Sequence, residues 1–176
     1  MRLPNTYTAV NETGCCPVPN VADWDKAILE FSHEPFVRMC TRSVLFMPLN
    51  MGRVMTALNE VAQRADVLMP PERGMILSRD VSPWRAEHLY AVSEPVPGAD
   101  NVELSGTFLS RVFEGPYREA GRWHRALLDY ASAQGRAPQD VYFFYTTCPK
   151  CAKHYGVNYV VGLVSVAPIT HPVPSP

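Results

Sequence analysis

Apolar and polar positions along the chain form two successive blocks in which the same elements are predicted in the same order. Each block begins with a long stretch rich in apolar and β-branched residues. Apolar positions three or four residues apart follow, and two shorter apolar stretches end the block. Apolar runs with partial alternation predict strands, and the three-to-four spacing predicts an amphipathic helix. The pattern therefore predicts a strand–helix–strand–strand unit that occurs twice.

The first block extends over residues 36–98. Its helix is predicted to begin near Arg53. It should end before Pro70 and Pro71, because proline is not tolerated in a helix interior. The predicted strands of this block are residues 36–49, 74–78 and 87–96.

The second block extends over residues 101–166. Its helix is predicted to follow Gly115-Pro116, because proline is favoured at the first helical position. The apolar stripe of this helix consists of Ala120, Trp123, Leu127, Tyr130 and Ala131. The predicted strands of this block are residues 102–113, 141–147 and 158–166.

Two such units predict an α+β fold. Duplicated halves would form one antiparallel sheet, with the helices on one face and a cleft between the halves. A length of 176 residues suits a single domain, 1–176. Residues 1–35 would be an N-terminal extension, and the proline-rich tail at about 168–176 is predicted to be disordered. Residue identity between the blocks is poor, so chance recurrence of a common pattern stays an alternative to duplication.

Composition and charge narrow the classes of partner. Hydrophobic residues make up 47% of the chain and charged residues 19%, which is typical of a globular protein. The formal net charge is −1, so we expect neither nucleic acid nor a membrane as a partner. Residues 1–11 lack the apolar core of a signal peptide, and no apolar stretch approaches the roughly 20 residues of a membrane helix. We therefore expect a cytoplasmic protein, and the sequence leaves its oligomeric state open.

Five cysteines include two close pairs, Cys15-Cys16 and Cys148-Pro-Lys-Cys151. Two thiolates two residues apart are typical of zinc sites, so we predict a metal site for zinc or another thiophilic ion. His154 would be a third ligand, and one of Cys15 and Cys16 the fourth. Reactive thiols are an alternative, but a redox pair usually opens a helix, and the predicted context here is strand, turn, strand. Inert reduced cysteines are the remaining alternative.

Glu114 and Tyr117 are the candidate catalytic residues. Glu114 lies at the predicted start of a helix, where burial in an apolar cleft would make it a general acid or base. Tyr117 would donate a hydrogen bond to a ligand or leaving group. Alternatively, Glu114 only caps the helix or faces solvent, and Tyr117 packs in the core with its hydroxyl satisfied.

Aromatic side chains are the candidate ligand-binding residues. Ligand pockets are mostly apolar with a few polar groups, so aromatic side chains on a strand could line a cleft. Alternate residues of the strand at 141–147 point to opposite faces of the sheet. The candidates are Trp24, Trp84, Tyr142, Phe143, Phe144 and Tyr145. Packing in the core is the alternative for each of them.

The run Val112-Phe113-Glu114-Gly115-Pro116-Tyr117 resembles the strand-to-helix turn of GyrI-like small-molecule-binding domains. That resemblance implies duplicated halves around a central ligand cleft over residues 36–166. The chain also resembles a poorly characterised prokaryotic family of hydrolases over residues 14–166. The shared motifs are Gly14-Cys15-Cys16-Pro17, Trp24-Asp25, Pro48-Leu49-Asn50, Phe113-Glu114-Gly115-Pro116-Tyr117 and Tyr145-Thr146-Thr147-Cys148-Pro149-Lys150-Cys151-Ala152-Lys153.

Three functional hypotheses follow. The first is a cytoplasmic GyrI-like protein that binds a small, largely apolar molecule in its central cleft; whether it hydrolyses that molecule stays open. GyrI-like binders of cationic drugs carry an acidic residue near the end of the domain, and the strand at 158–166 has none. The second is a zinc-binding or thiol-based module that uses the two cysteine pairs. The third is a non-enzymatic protein that binds or sequesters a small molecule.

Overall fold

The computed structural model describes residues 3–167 and contains seven strands and four α-helices in that range. The strands are β1 (Ile28–Val44), β2 (Met47–Pro48), β3 (Ile76–Ser82), β4 (Arg85–Ala91), β5 (Asn101–Glu114), β6 (Pro138–Tyr145) and β7 (Tyr159–Val166). The helices are α1 (Val21–Trp24), α2 (Met51–Arg64), α3 (Ala120–Ala133) and α4 (Pro149–Tyr155). The tail predicted to be disordered lies outside the described residues.

The strands form one antiparallel sheet that closes into a barrel. Their order is β2-β1-β4-β3-β6-β7-β5, and an additional pairing between β1 and β5 joins the two ends. The 17-residue β1 makes this closure because its two parts pair with different strands. Its first part pairs with β5, with Ile28 opposite Leu109, and its second part pairs with β4, with Phe36 opposite Ala91. The mixed α and β composition and the antiparallel sheet are thus confirmed.

The predicted elements agree with the structure in order but not at every boundary. A strand–helix–strand–strand order recurs, although α4 interrupts its second occurrence. The strand predicted at residues 36–49 is wrong at both ends, because β1 begins at Ile28 and ends at Val44. The third strand of the first block ends at Ala91 instead of Val96. Order alone does not establish a common origin of the two halves, so duplication stays a prediction.

Side chains from both halves fill the interior of the barrel. The interior cluster contains Phe31, Phe36, Leu77, Leu89, Phe108, Tyr142, Phe144, Val161 and Leu163, all of them buried. A cavity of about 20 Å³ lies at one end of this cluster, lined in part by Leu3, Trp24 and Met75. That volume is enough for one water molecule and not for an organic ligand.

The two long helices pack on the outer face of the barrel. In α2, Leu58 and Ala62 are fully buried and cover Val37 of β1. In α3, Trp123, Leu127 and Ala131 are buried against side chains of β5, β6 and β7. Both long helices therefore lie on the outside of the closed barrel.

His88 of β4 is a buried, uncharged histidine held between two hydroxyl groups. It is 1% exposed, with Nδ1 2.9 Å from Ser78 Oγ and Nε2 3.0 Å from Thr41 Oγ1. Burial lowers the pKa of His88 to about 4. Both ring nitrogens are thus satisfied by neutral partners, and the folded state favours the uncharged imidazole.

Acid is expected to destabilise the fold through His88. The unfolded chain, with an imidazole pKa near 6.5, takes up the proton at a higher pH than the folded chain, so stability is lost as the pH falls below about 6.5. The loss should be roughly 2 kcal/mol by about pH 4.5. Urea unfolding of wild type and His88→Gln, above pH 6.5 and at about pH 4.5, measures this loss of stability. The variant should lose less stability than wild type. Exposed His124→Gln is the control; equal pH dependence in both variants would contradict the prediction.

The N-terminal segment is attached to the barrel by hydrogen bonds. Thr6 donates its backbone N–H to the Glu72 carbonyl at 2.8 Å and its hydroxyl to the Gly74 carbonyl at 2.9 Å. The indole N–H of Trp24 donates to the Asn5 carbonyl at 2.9 Å. No helix between residues 3 and 167 has the length and apolar composition needed to cross a membrane.

Candidate metal centre

Four cysteine sulfurs from two distant segments meet at one end of the barrel. The Sγ atoms of Cys15, Cys16, Cys148 and Cys151 all lie within 4.8 Å of one another. The Sγ atoms of Cys15 and Cys16 are 3.7 Å apart. A tetrahedral zinc ion with bonds of about 2.3 Å holds its four sulfurs roughly 3.8 Å apart. The group therefore needs only a small contraction to coordinate one ion.

A tight turn brings both N-terminal cysteines to the site. Gly14 has a φ of +66°, a left-handed conformation that side chains rarely adopt. The hydroxyl oxygen of Thr13 accepts the backbone N–H groups of Cys15 and Cys16, each at 3.2 Å. The same oxygen lies 3.3 Å from Cys151 Sγ. Thr13 therefore fixes the turn and connects it to the second pair of cysteines.

The second cysteine pair lies at the start of a helix, so the strand–turn–strand context predicted for it is wrong. Cys148 is the N-cap of α4, Pro149 is its first residue, and Gly156 ends it with a φ of +72°. Proline at the first position and a left-handed glycine at the end are helix boundary signals. They were present in the sequence, but seven residues are too few for helical periodicity to show.

The environments of the thiols differ. The nearby Thr13 hydroxyl, together with Cys148 and Cys16, lowers the pKa of Cys151 to about 6. Burial raises the pKa of Cys16. A hydrogen bond with Cys16 lowers the pKa of Cys15, but desolvation and the charges of Cys151 and Cys148 outweigh it, so the pKa is raised. Four thiolates this close repel one another, and a bound cation is what would let all of them lose their protons.

Three tyrosine hydroxyls hold the backbone around the cysteines. Tyr155 of α4 donates to the Cys16 carbonyl at 2.8 Å and so joins the helix to the N-terminal turn. Tyr7 donates to the Thr146 carbonyl at 2.8 Å, and Tyr117 donates to the Thr147 carbonyl at 3.0 Å. Such outer contacts orient ligand residues and stabilise metal sites. No pattern in the sequence predicts these three bonds.

His154, predicted to be a ligand, lies outside the group of four sulfurs. Its Nε2 is 3.1 Å from Glu12 Oε2, and both side chains are largely exposed. One of Cys15 and Cys16 was expected to dominate as a ligand, and the structure brings both sulfurs into the group. The candidate donor set is therefore four cysteines.

Of the two candidate catalytic residues, Tyr117 contacts the Cys148 loop, and Glu114 lies at the same end of the barrel, opposite Tyr159 of β7. Glu114 is exposed at the end of β5, and Gly115 follows, with its carbonyl accepting the side-chain N–H of Asn158 at 2.6 Å. Tyr117 is in a 3₁₀ turn that precedes α3, so Pro116 lies just before that turn and not in the helix. Burial, and then the nearby Cys148 and Cys16, raise the pKa of Tyr117. The catalytic roles of Glu114 and Tyr117 stay predictions.

The six aromatic candidates are distributed over separate parts of the fold. Trp24, Tyr142 and Phe144 belong to the interior cluster. Phe143 and Tyr145 pack on the outer face, in the cluster that α3 covers. Trp84 is exposed in the turn between β3 and β4. They do not line one common cavity in residues 3–167, and a ligand-binding role for them stays a prediction.

The chain matches a known family over most of its length. Residues 6–166 match the family model for Bacterial hydrolase. No curated protein matches the chain. The GyrI-like relationship stays a prediction.

Two solved structures from Listeria innocua are similar in fold. The first, an uncharacterized conserved protein, is 9% identical with a TM-score of 0.60, and the match covers 83% of this chain and 94% of that chain. The second, a hydrolase, is 10% identical with a TM-score of 0.59 and the same coverage of both chains. Identities this low show a shared fold and nothing more. The match over residues 6–166 is what shows that the chain belongs to the Bacterial hydrolase family.

Proposed function

We propose that this protein binds one zinc ion through Cys15, Cys16, Cys148 and Cys151. The observation that carries the proposal is that the four sulfurs all lie within 4.8 Å of one another. They come from two segments that are more than a hundred residues apart in the sequence. Thiolate sulfur is the ligand that zinc and other thiophilic metals prefer. The ion would join the N-terminal turn to α4.

A site with four cysteine ligands is closed, so the proposed ion has a structural role. Catalytic zinc sites keep a position for water or substrate, whereas four thiolates occupy every position of a tetrahedral ion. The ion would also fix the loops that Tyr7, Tyr117 and Tyr155 hold by hydrogen bonds. It would therefore order one end of the barrel, next to Glu114.

Reactive thiols are the competing use of the same cysteines, and the helix start at Cys148 favours them. Attack on an external oxidant or substrate needs an accessible thiolate. The thiol with the lowered pKa is Cys151, which is 1% exposed. Its burial makes metal coordination the better use of its thiolate.

Metal analysis of untagged protein tests the proposal. We expect one zinc ion per chain, with the metal lost in Cys148→Ser and in Cys16→Ser because three thiolates hold zinc more weakly. Cys40→Ser is the matched control, since Cys40 lies in β1 outside the group of four. Metal-free wild type that also fails to take up added zinc would contradict the proposal.

As a second function we propose hydrolysis of a small, largely apolar molecule, with Glu114 as acid or base. Membership of the Bacterial hydrolase family supports it. The position of Tyr117 next to the Cys148 loop also supports it, because two of the motifs thereby meet at one site. The protein would then be a cytoplasmic enzyme with its ligand near this end of the barrel; without turnover, the same site would only bind or sequester the molecule.

A substrate screen with Glu114→Gln tests the second function. We expect the variant to bind the same compounds as wild type and to turn them over at least a hundredfold more slowly, since general acid–base catalysis contributes about that much or more. Exposed Glu94→Gln is the control, because Glu94 lies outside the motifs. Equal turnover by wild type and Glu114→Gln would remove Glu114 from the mechanism.

A further inference from the structure

A cluster of large apolar side chains is exposed at the end of the barrel opposite the cysteines. The chain leaves β1 at Val44, turns at Leu45 and Phe46, and returns through β2. We name residues 44–49 the hairpin tip. Its exposed apolar residues are Val44, Leu45, Phe46, Met47 and Leu49. Val81 near the end of β3 and Trp84 of the β3–β4 turn are exposed beside it. Leu45 and Met47 are 68% and 69% exposed.

The turn of the hairpin tip presents its side chains in an unfavourable backbone conformation. Leu45 and Phe46 have φ values of +48° and +68°. Hairpins of this kind favour Asn-Gly at these positions, because bulky residues are strained at positive φ. Two large apolar residues at the turn are therefore costly for folding and contribute nothing to the core.

The hairpin tip is held in place by the neighbouring turn. The backbone N–H of Phe46 donates to the Pro83 carbonyl at 3.0 Å, and that of Ser43 donates to the Trp84 carbonyl at 2.8 Å. The pairing of Leu77 with Phe144 places the start of β3 near the cysteine end, so β3 ends at the far side. The apolar cluster is thus an ordered surface, separate from the metal centre.

Positive charge lies beside this apolar surface. Residues 41–53 contain Arg42 and Arg53 and no aspartate or glutamate. Arg85 is also near, but its guanidinium lies 3.8 Å from Glu87, and exposed Asp80 directly precedes Val81. All three arginines are exposed. The net charge of −1 for the whole chain hides this local excess of positive charge. That net charge was the reason why no membrane partner was expected.

We propose that the hairpin tip docks on the surface of a bilayer that contains anionic phospholipids. Leu45, Phe46 and Met47 would enter the boundary between headgroups and acyl chains, where apolar side chains lose their contact with water. Arg42 and Arg53 match the negative charge of the lipid headgroups. Trp84 suits the same interface, because its ring is apolar and its indole N–H is polar.

A bilayer fits this surface better than a protein partner does. A stable protein interface buries about 800 Å² on each side and needs a surface of complementary shape. The hairpin tip is a short turn with its apolar residues at the end and Arg42 at its base. A fluid bilayer accepts such a shape without complementarity, and charge at the base adds to its attraction.

Sedimentation with vesicles tests the proposal on the full chain. We expect binding to mixed phosphatidylcholine–phosphatidylserine vesicles, weaker binding to phosphatidylcholine alone, and release by added salt. The double variant Leu45→Asn with Phe46→Gly should bind at least about tenfold more weakly, since it removes two inserted side chains. It should fold well, because Asn-Gly is favoured at such turns.

Two further variants separate the contributions of charge and position. Arg42→Gln with Arg53→Gln should abolish the preference for the mixed vesicles. Val10→Ser removes an exposed apolar residue of the N-terminal segment, away from the hairpin tip, and should bind like wild type. Three results would each overturn the proposal. The first is failure of wild type to bind mixed vesicles, and the second is binding of the Leu45/Phe46 variant to them as tightly as wild type binds. The third is a wild-type dimer that this variant abolishes. Zinc content is measured separately and does not depend on this result.

Discussion

Removing the proposed zinc ion with a strong chelator is expected to lower the free energy of unfolding by at least about 4 kcal/mol, which is the stabilisation from a ligand present at a thousand times its dissociation constant. The physical reason is that the ion would bind the folded arrangement of Cys15, Cys16, Cys148 and Cys151 and would find no such site in the unfolded chain. Cys148→Ser should cause a loss of similar size. Urea unfolding with and without chelator, followed by zinc addition, measures the effect and its reversal.

The loss should be concentrated at the N-terminal turn and α4. Without the ion, contacts such as the 2.8 Å bond from Tyr155 to the Cys16 carbonyl must hold the turn by themselves. Hydrogen exchange at the backbone N–H of Cys16 should therefore accelerate much more than exchange in β5 and β7. Tyr155→Phe should cost only about 1 kcal/mol, as expected for one hydrogen bond. An unchanged unfolding midpoint after chelation would contradict a structural metal.

The order of elements was predictable because long strands and amphipathic helices have characteristic periods. Helix α2 was recognised from apolar positions three and four residues apart, and it buries Val54, Leu58 and Ala62 as that pattern requires. Strand β5 was predicted to within about one residue at each end because it is long and its apolar positions alternate for much of its length. Such signals depend only on local sequence.

Closure of the sheet could not be predicted from the same signals. It depends on β1 extending back to Ile28, through a shift in register between Phe31 and Glu34 where His33 has a φ of +54°. A histidine, a glutamate and a proline in that stretch interrupt the strand pattern, so the pattern predicts a strand only from Phe36. Pairing between distant strands is a tertiary choice that local periodicity does not encode.

The candidate site was partly predictable. Spacing identified Cys148 and Cys151, because thiolates two residues apart are a recognised metal signal, and the second close pair, Cys15-Cys16, was expected to supply one more ligand. Spacing did not identify their neighbours. Tyr7, Tyr155 and Thr13 contact the site through single backbone or hydroxyl bonds that depend on how distant segments meet. The three motifs around Cys15, Glu114 and Cys148 lie far apart in sequence, and the fold brings them to one end of the barrel.

At the hairpin tip, the sequence pattern predicts a strand where the structure has an exposed turn. Residues 44–49 are mostly apolar, so the pattern predicts them as the end of the strand at residues 36–49, but the chain turns at Leu45 and leaves most of them exposed. Apolar runs indicate burial on average, and an exposed apolar cluster is informative because it departs from that average.

Replacing Gly162 of β7 by valine is expected to destabilise the fold by about 3 kcal/mol, and by alanine about 2 kcal/mol, as typical of overpacking a core. A Cβ atom at Gly162 would lie 2.9 Å from Phe113 Cε2 and 3.1 Å from Leu127 Cδ2. The Phe113 ring cannot move away freely, because it stacks on Trp123 with ring centroids 5.8 Å apart. Denaturant unfolding of the two variants measures the loss.

Gly121→Ala is the matched control for a glycine in open space. Nothing lies within 4 Å of its Cβ position, so alanine should stabilise α3 by about 0.5–1 kcal/mol. Phe113→Leu should partly rescue Gly162→Ala, and a double-mutant cycle should give a coupling of about 1 kcal/mol or more between residues in contact. Additive effects would mean that the clash is relieved elsewhere. Because Glu114 follows Phe113 directly, a displaced ring should also shift the strand end that carries the candidate carboxylate. Close packing of β7 against α3 is therefore a condition for the geometry next to the cysteines.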